Sequence, residues 1–432
     1  MIIVDRELER REFEGRPVRV AMVGAGYIGR GAARQMARMA GLRLVAIANR
    51  TPERAERAYR EAGAEEVRRV DSVPALEEAI SQGIPAITGD AELVCQAGPV
   101  DVVIEATGDV EFGAHVSVAA IENGKHLVLM NAELDATLGP ILKERADRAG
   151  VVLTNTDGDQ PGVVMNLLRF VRTIGVRPVM AGNIKGLQDP YRTPETQRGF
   201  AEAHGQDTKM ITSFADGTKL SMEMAVVANA TGFRVGRRGM YGPRCGHVDE
   251  APELFDLEEL LGEGPEDGLV DYVLGAQPGP GVFVLGYDPD PARAAYMKYL
   301  KMGEGPLYVF YVPYHLPHLE VPISAARAAL FQDPVIAPAG APVCEVLTVA
   351  KRDLKAGEVL DGIGGFTAYG VIENAPTCRD MDALPMGLAD GCRLQVDVPK
   401  DRPVRFGDVV LPEGRLSDRL WGEQLERFRV ER

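Results

Sequence analysis

The residues best suited to chemistry form a glycine-punctuated turn. The apolar run Val18 to Val23 ends in Gly24-Ala25-Gly26-Tyr27-Ile28-Gly29, and a helical pattern follows from Tyr27 to Met39. Strand, tight turn and helix N-terminus together present free backbone N–H groups and a positive dipole end, which suits a dinucleotide pyrophosphate. Gly24 can take the tight turn, Gly26 lets backbone approach the phosphates, and Gly29 lets helix and strand pack closely. A chain with 48 glycines can hold such a triplet by chance, but the flanking patterns argue against it. A second apolar run, Leu42 to Ala48, ends in Asn49-Arg50-Thr51. An NAD site usually has a carboxylate here for the ribose 2′-OH. Asn49 does not repel a 2′-phosphate and Arg50 can pair with one, so the pattern favours NADP. The alternative is that Arg50 is an ordinary solvated surface residue.

A second set of candidates lies further on. Lys185, Arg192, Lys209, Arg234, Arg237 and Arg238 are cations that could hold a phosphate or carboxylate. Lys185 follows an apolar strand in a glycine-flanked turn, where an amine can polarise a carbonyl. The bland alternative is a lysine that snorkels to solvent. Asp157, Asp159 and Glu223 are read as a base or as oxygen ligands suited to Mg²⁺ or Mn²⁺. Against this, Asp157-Gly158-Asp159 also reads as a turn, and Glu223 as one half of a buried ion pair. Arg237-Arg238 reads equally as a solvated pair. Tyr191 and Arg192 fall in a polar loop with little structural reason for an aromatic. Tyr314 and His315 lie just past an aromatic strand and could donate hydrogen bonds to a substrate. No H-x-x-H, H-E-x-x-H or G-x-S-x-G pattern is present, which argues against zinc or serine-hydrolase chemistry.

These residues need elements to position them. Val18–Val23, Leu42–Ala48, Asp101–Glu105, His126–Met130 and Val151–Leu153 read as short buried strands. Thr51–Ala62, Glu111–Asn123 and Leu138–Ala149 read as the helices between them, the first with a hydroxyl cap and a first-turn proline. This alternation predicts a doubly wound parallel sheet over 1–160, with its ligand beyond the carboxyl ends of the strands. Residues 161–340 read as an α+β substrate and dimerisation domain, entered through a helix from Gly162 to Val171. Its strands are Pro178–Ile184, Gly281–Tyr287 and Pro306–Val312. Asp216-Gly217 carries a hairpin signal, and a helix from Ser221 to Ala230 stops before Gly232. Residues 341–432 read as a separate β-rich domain.

The 432 residues carry a net charge of −15 and no long basic run, so nucleic acid is not an expected partner. Hydrophobic residues make up 45% and charged residues 26%, an ordinary globular balance. No apolar stretch is long enough to span a membrane. The N-terminus lacks the apolar core of a signal peptide, and the five cysteines form no C-x-x-C pair. A cytoplasmic enzyme, homodimeric and acting on a small molecule, is the expectation.

Resemblances refine it. Ile104-Glu105-Ala106-Thr107-Gly108, Gly124-Lys125-His126 and Met130-Asn131 resemble homoserine dehydrogenases, which implies Ala106, Thr107, Gly108 and Asn131 near the nicotinamide. That family has an Asn-Lys pair where this chain has Asn131-Ala132. The segments 156–162, 182–186, 189–195 and 222–232 resemble the deoxyxylulose-phosphate reductoisomerase-like family. Residues 350–360, 384–388 and 404–409 resemble a SAF domain. The resemblance implies an NADP-dependent reductoisomerase or oxidoisomerase of a small sugar phosphate or branched sugar acid such as apionate. The residues read as catalytic from their types and places are Lys185, Glu223, Asp157 and Lys209. Tyr191, Arg192, Arg234, Arg237, Tyr314 and His315 would bind substrate. The rival readings are a homoserine-dehydrogenase-like enzyme and a non-catalytic NADP-binding sensor.

Overall fold

The computed structural model describes residues 3–429. Seven strands form its first sheet: β1 (Val18–Val23), β2 (Leu42–Ala48), β3 (Arg68–Arg69), β4 (Ala86–Thr88), β5 (Val102–Glu105), β6 (His126–Leu129) and β7 (Leu153–Asn155). They lie in the order β3-β4-β2-β1-β5-β6-β7, with every neighbouring pair parallel. Strands β5 and β7 are buried at every position and β1 at all but Arg19, as a sheet covered by helices on both faces requires. The winding direction reverses between β1 and β5, so the crevice beyond their carboxyl ends is the expected ligand position in this Rossmann-type sheet.

The helix read from Leu138 begins at Ala132 instead. The Asn131 side chain caps it by accepting the Leu134 N–H, and Glu133 and Asp135 in its first turn are buried. Those two acids look solvated in the sequence, which hid the helix start. Pro140 lies inside the helix, and the carboxamide of Gln424 meets the ladder next to it. Its Oε1 accepts from the Ile141 N–H at 3.2 Å and its Nε2 donates to the Thr137 carbonyl at 3.0 Å. In an unbroken helix those two backbone groups would bond to each other.

The chain divides into two compact units: Met1–Asp159 with Leu316–Ala337 and Leu416–Arg432, and Gln160–His315 with Pro338–Arg415. Two late helices therefore group with the seven-stranded sheet. Pro317–Phe331 adds Val321, Ala325 and Ala326 to the core cluster of Val20, Met22 and Ala32, and Leu416–Arg427 carries Gln424.

The second unit holds a mixed sheet of β8 (Arg177–Lys185), β9 (Leu269–Leu274), β10 (Gly281–Tyr287) and β11 (Leu307–Val312), in the order β11-β10-β8-β9. β8 is parallel to β9 and antiparallel to β10. The SAF-like stretch contributes the antiparallel pair β12 (Cys344–Ala350) and β13 (Ala368–Asn374) and the short pair β14 (Arg393–Leu394) and β15 (Val409–Val410). The Asp216-Gly217 hairpin reading is corrected. Gly217, at φ +87°, joins the helices Thr208–Ala215 and Thr218–Thr231. Asp216 accepts the Thr218 N–H at 2.9 Å, so the turn chemistry is as read, but its flanks are helical.

A buried ion pair holds this turn. Lys351 Nζ lies 2.9 Å from Asp216 Oδ2, with 3% and 0% of the two side chains exposed. The same ammonium donates to the Arg192 and Gly365 carbonyls at 2.7 and 2.8 Å. Lys351→Ala leaves Asp216 buried without its cation, so unfolding in denaturant is expected at a stability lower by about 3–5 kcal/mol. A loss below about 1 kcal/mol would show that water replaces the ammonium.

Candidate functional site

The first unit carries the dinucleotide half of the chemistry. Gly24 sits at φ +109°, and a Cβ added there would come 2.5 Å from the Ala106 carbonyl oxygen. Only glycine permits that approach, and it brings the turn after β1 against the turn after β5. A Cβ on Gly26 would meet nothing within 4 Å, so this position opens outward. Gly26 begins the helix Tyr27–Met36 without any side-chain cap. The first-turn N–H groups therefore remain available to an anion, and the turn fits a dinucleotide pyrophosphate. Tyr27 is exposed, Ile28 is half-buried and Gly29 is buried.

Asn49 has a second role here. Its Oδ1 accepts the Ala25 N–H at 3.0 Å and its Nδ2 donates to the Thr51 carbonyl at 2.8 Å. Its carboxamide thus fastens the glycine turn to the end of β2. Arg50 is exposed beside it.

Glu105, at the carboxyl end of β5, was visible in the sequence only as part of the strand leading into Ala106-Thr107-Gly108. It is fully buried. Its Oε1 accepts the Thr107 N–H at 2.8 Å and also the Thr107 hydroxyl, while Oε2 has no partner. Burial pushes its carboxyl up to about 7, against the lowering effect of the Thr107 and Asn131 hydrogen bonds. Asn131 also donates to the Asp109 carbonyl at 3.0 Å. Burial likewise raises Asp135 to about 7, although Asn155 donates to it at 3.0 Å. Sequence reasoning passed over both acids, yet an acid closing an apolar strand beside a threonine was the available signal.

The second unit brings Lys185 and Glu223 together. Asn183 and Lys185 are two apart on β8 and so share a face. Gln160 opens the helix Gln160–Thr173, and Glu223 lies midway along the buried helix Thr218–Thr231. Lys185 Nζ donates to Gln160 Oε1 at 2.7 Å and lies 3.4 Å from Glu223 Oε2. Asn183 Nδ2 reaches the same two oxygens at 2.6 and 3.2 Å. The Lys185 side chain is 17% exposed and that of Glu223 5%, so the ammonium forms the solvent edge of a buried polar cluster. A cation held this way can donate to a substrate oxygen, with a carboxylate at hand to receive a proton. Asn183 and Gln160 were not singled out from the sequence. The two-residue strand period from Lys185 pointed to the first, and nothing local pointed to the second.

Other sequence candidates have structural partners instead. Asp157 pairs with Arg327 Nη1 at 3.0 Å and accepts the Ser324 hydroxyl at 3.2 Å, which fastens it to the helix Pro317–Phe331. Asp159 is half-buried. Among the described residues no three His, Cys, Asp or Glu side chains form a group that could hold a metal ion. Lys209 Nζ donates to the Asp361 carbonyl at 2.7 Å, which ties its helix to the SAF-like stretch. The Tyr191 hydroxyl bonds Asp401 at 3.0 Å under the Lys400 ammonium, which sits 3.5 Å over its ring. Arg192 pairs with Asp189 at 3.0 Å and Arg238 with Glu373 at 3.0 Å. Arg237 donates to the Met240 and Tyr241 carbonyls at 3.0 and 3.2 Å. Arg234 is half-buried in a bridge to Leu269. Tyr314 is exposed and His315 half-buried. Arg192, Lys209, Arg237 and Arg238 thus each have a partner within the second unit.

Known families match three parts of the chain. Residues 24–154 match the NAD binding domain of homoserine dehydrogenase, residues 158–321 the catalytic domain of oxidoreductase DRL, and residues 347–410 the SAF domain. No curated protein matches the chain. Among solved structures, an NAD binding oxidoreductase from Klebsiella pneumoniae is 21% identical over 40% of this chain and 44% of its own, with a TM-score of 0.29. Biliverdin reductase from Synechocystis sp. PCC 6803 is 19% identical over 40% and 48%, with a TM-score of 0.28. Scyllo-inositol dehydrogenase from Lactobacillus casei is 12% identical over 68% and 76%, with a TM-score of 0.37. The chain thus spans less than half the length of the first two. The domain matches support an oxidoreductase that uses a nicotinamide cofactor. Among the described residues no helix is long and apolar enough to cross a membrane.

Glu105 also makes stability depend on pH. Its folded carboxyl titrates near 7 against an ordinary value of 4.5, so the native chain keeps a proton that the unfolded chain gives up. Its contribution to stability therefore falls as pH rises through that window. Between about pH 5 and pH 8 the wild type is expected to lose roughly 3 kcal/mol more than Glu105→Gln, measured by denaturant unfolding at each pH. Parallel curves for the two proteins would show that Glu105 ionises without cost.

Proposed function

We propose that the chain is an NADP-dependent oxidoreductase of the reductoisomerase or oxidoisomerase kind, acting on a small sugar phosphate or branched sugar acid. The observation that carries this reading is the Lys185–Glu223–Gln160–Asn183 cluster at the end of β8. Gly24, Gly26 and the N-terminal turn of the helix Tyr27–Met36 would hold the pyrophosphate, and Arg50 the 2′-phosphate. When bound, the nicotinamide supplies or accepts the hydride. Lys185 donates a hydrogen bond to the substrate carbonyl oxygen and stabilises the charge that develops there. Glu223 receives or returns the proton of the adjoining hydroxyl, and Gln160 and Asn183 fix both groups in place. Thr107, held by Glu105, keeps the turn after β5 in position.

The assay is nicotinamide absorbance with deoxyxylulose 5-phosphate, apionate, other small sugar acids and homoserine, with and without Mg²⁺ or Mn²⁺. Turnover of a sugar phosphate or sugar acid is expected, with kcat lowered about 10²-fold or more in a folded Lys185→Ala variant. Turnover of homoserine alone, despite Ala132 in place of a lysine, would reject the reading. Cofactor binding with no turnover of any substrate would make the protein a sensor.

Cofactor choice is a separate test. Arg50→Glu removes a guanidinium suited to a 2′-phosphate and adds a repelling carboxylate. The Kd for NADPH is expected to rise about tenfold or more, with that for NADH little changed. An equal change for both cofactors would show that Arg50 contacts neither selectively.

A further inference from the structure

The helix that follows the glycine turn has a second polar face. Arg30 and Arg34 are spaced at i and i+4 and so share one stripe of the helix Tyr27–Met36, and Arg38 lies in the turn just past its end. With Tyr27, Gln35 and His318 they line a cavity of about 600 Å³ that lies wholly within the first unit. That volume falls in the range of roughly 300–1,000 Å³ in which small ligands are held. Gly24 and Gly26 do not line it.

Three observations indicate a built pocket. A Cβ on Gly31 would come 2.8 Å from the His318 side chain, so glycine here allows the imidazole to lie directly on the helix. The His318 Nδ1 is buried with no hydrogen-bond partner among the described residues, and its ring makes an edge contact with Tyr27 at 6.4 Å. The charge balance is also one-sided. Glu61 is the acid lining the cavity; it lies 3.5 Å from Arg30 but 2.7 Å from Arg57, which lies outside the lining. Arg34 donates to the Glu61 carbonyl at 3.0 Å, and the Arg38 side chain is exposed and has no bonding partner among the described residues. Three guanidinium groups thus face one carboxylate that is already shared.

We propose that this pocket is a second anion site, distinct from the glycine turn, for a compact organic anion carrying two or more phosphate or carboxylate groups. Guanidinium forks bind both groups in bidentate fashion. The Gln35 amide and the Tyr27 hydroxyl supply the remaining polar contacts.

Calorimetric titration with inorganic pyrophosphate and with citrate tests this on the full chain. Three proteins are compared: wild type, Arg34→Gln/Arg38→Gln, and Gly26→Asp, which places a carboxylate in the glycine turn and leaves the pocket intact. Binding that weakens tenfold or more in the arginine variant, persists in Gly26→Asp and falls with added salt is the expected result. Pyrophosphate alone would mark a phosphate ligand, and citrate as well would extend the site to carboxylates. Arg38→Glu, at an exposed side chain with no partner, repeats the loss if the double variant folds poorly. Binding lost in Gly26→Asp but kept in the arginine variants would put the anion on the glycine turn and overturn the proposal. Binding unaltered in all variants, or no binding, would overturn it as well.

Discussion

A single steric constraint organises the first unit. The carbonyl oxygen of Ala106 occupies the space where residue 24 would carry a Cβ. The turns after β1 and β5 can therefore touch, and they touch at the reversal of the sheet. The Ala106 N–H donates to the Val23 carbonyl at 2.8 Å, which fixes the register of the two strand ends. Beside this contact lie the open face of Gly26 and the uncapped helix start. Any larger residue at 24 would separate the two turns and remove the shape that a pyrophosphate needs.

Buried polar groups then hold these turns in place. Glu105 pins Thr107, Asn131 caps a helix and bonds the Asp109 carbonyl, and Asn49 ties the glycine turn to β2. In the second unit Lys351 and Asp216 do the same for the helix that carries Glu223. Each such group loses hydration on burial, and that loss is offset only when its hydrogen bonds are made. Burial holds Glu105 and Asp135 toward their neutral forms, and among the described residues each retains an oxygen without a partner.

The two units use charge differently. In the second, most arginines and lysines pair with carboxylates or backbone carbonyls, and Lys185 is a cation at the edge of a polar cluster. On the helix Tyr27–Met36 and just beyond it, Arg30, Arg34 and Arg38 line an open cavity with one shared acid between them. The sequence shows the residue types in both places and cannot tell an occupied guanidinium from an available one, because the partners lie far along the chain. Glu373 lies 135 residues from Arg238, and Asp361 lies 152 from Lys209.

Local patterns alone determined the parallel sheet, the glycine turn and the Asn49-Arg50 position, because period, glycine placement and strand ends are short-range properties. They also marked Lys185, since a lysine closing an apolar strand is conspicuous. Tertiary structure alone decided which helices complete each unit. Pro317–Phe331 and Leu416–Arg427 return to the first sheet although they follow the second in sequence. It also decided that Asp157 pairs with Arg327, that Asp216-Gly217 joins two helices, and that Gln160 and Asn183 meet Lys185 and Glu223. The physical reason is the same throughout. A buried charge or amide takes its role from the partner that replaces its water, and that partner is chosen by the fold rather than by the neighbours in sequence.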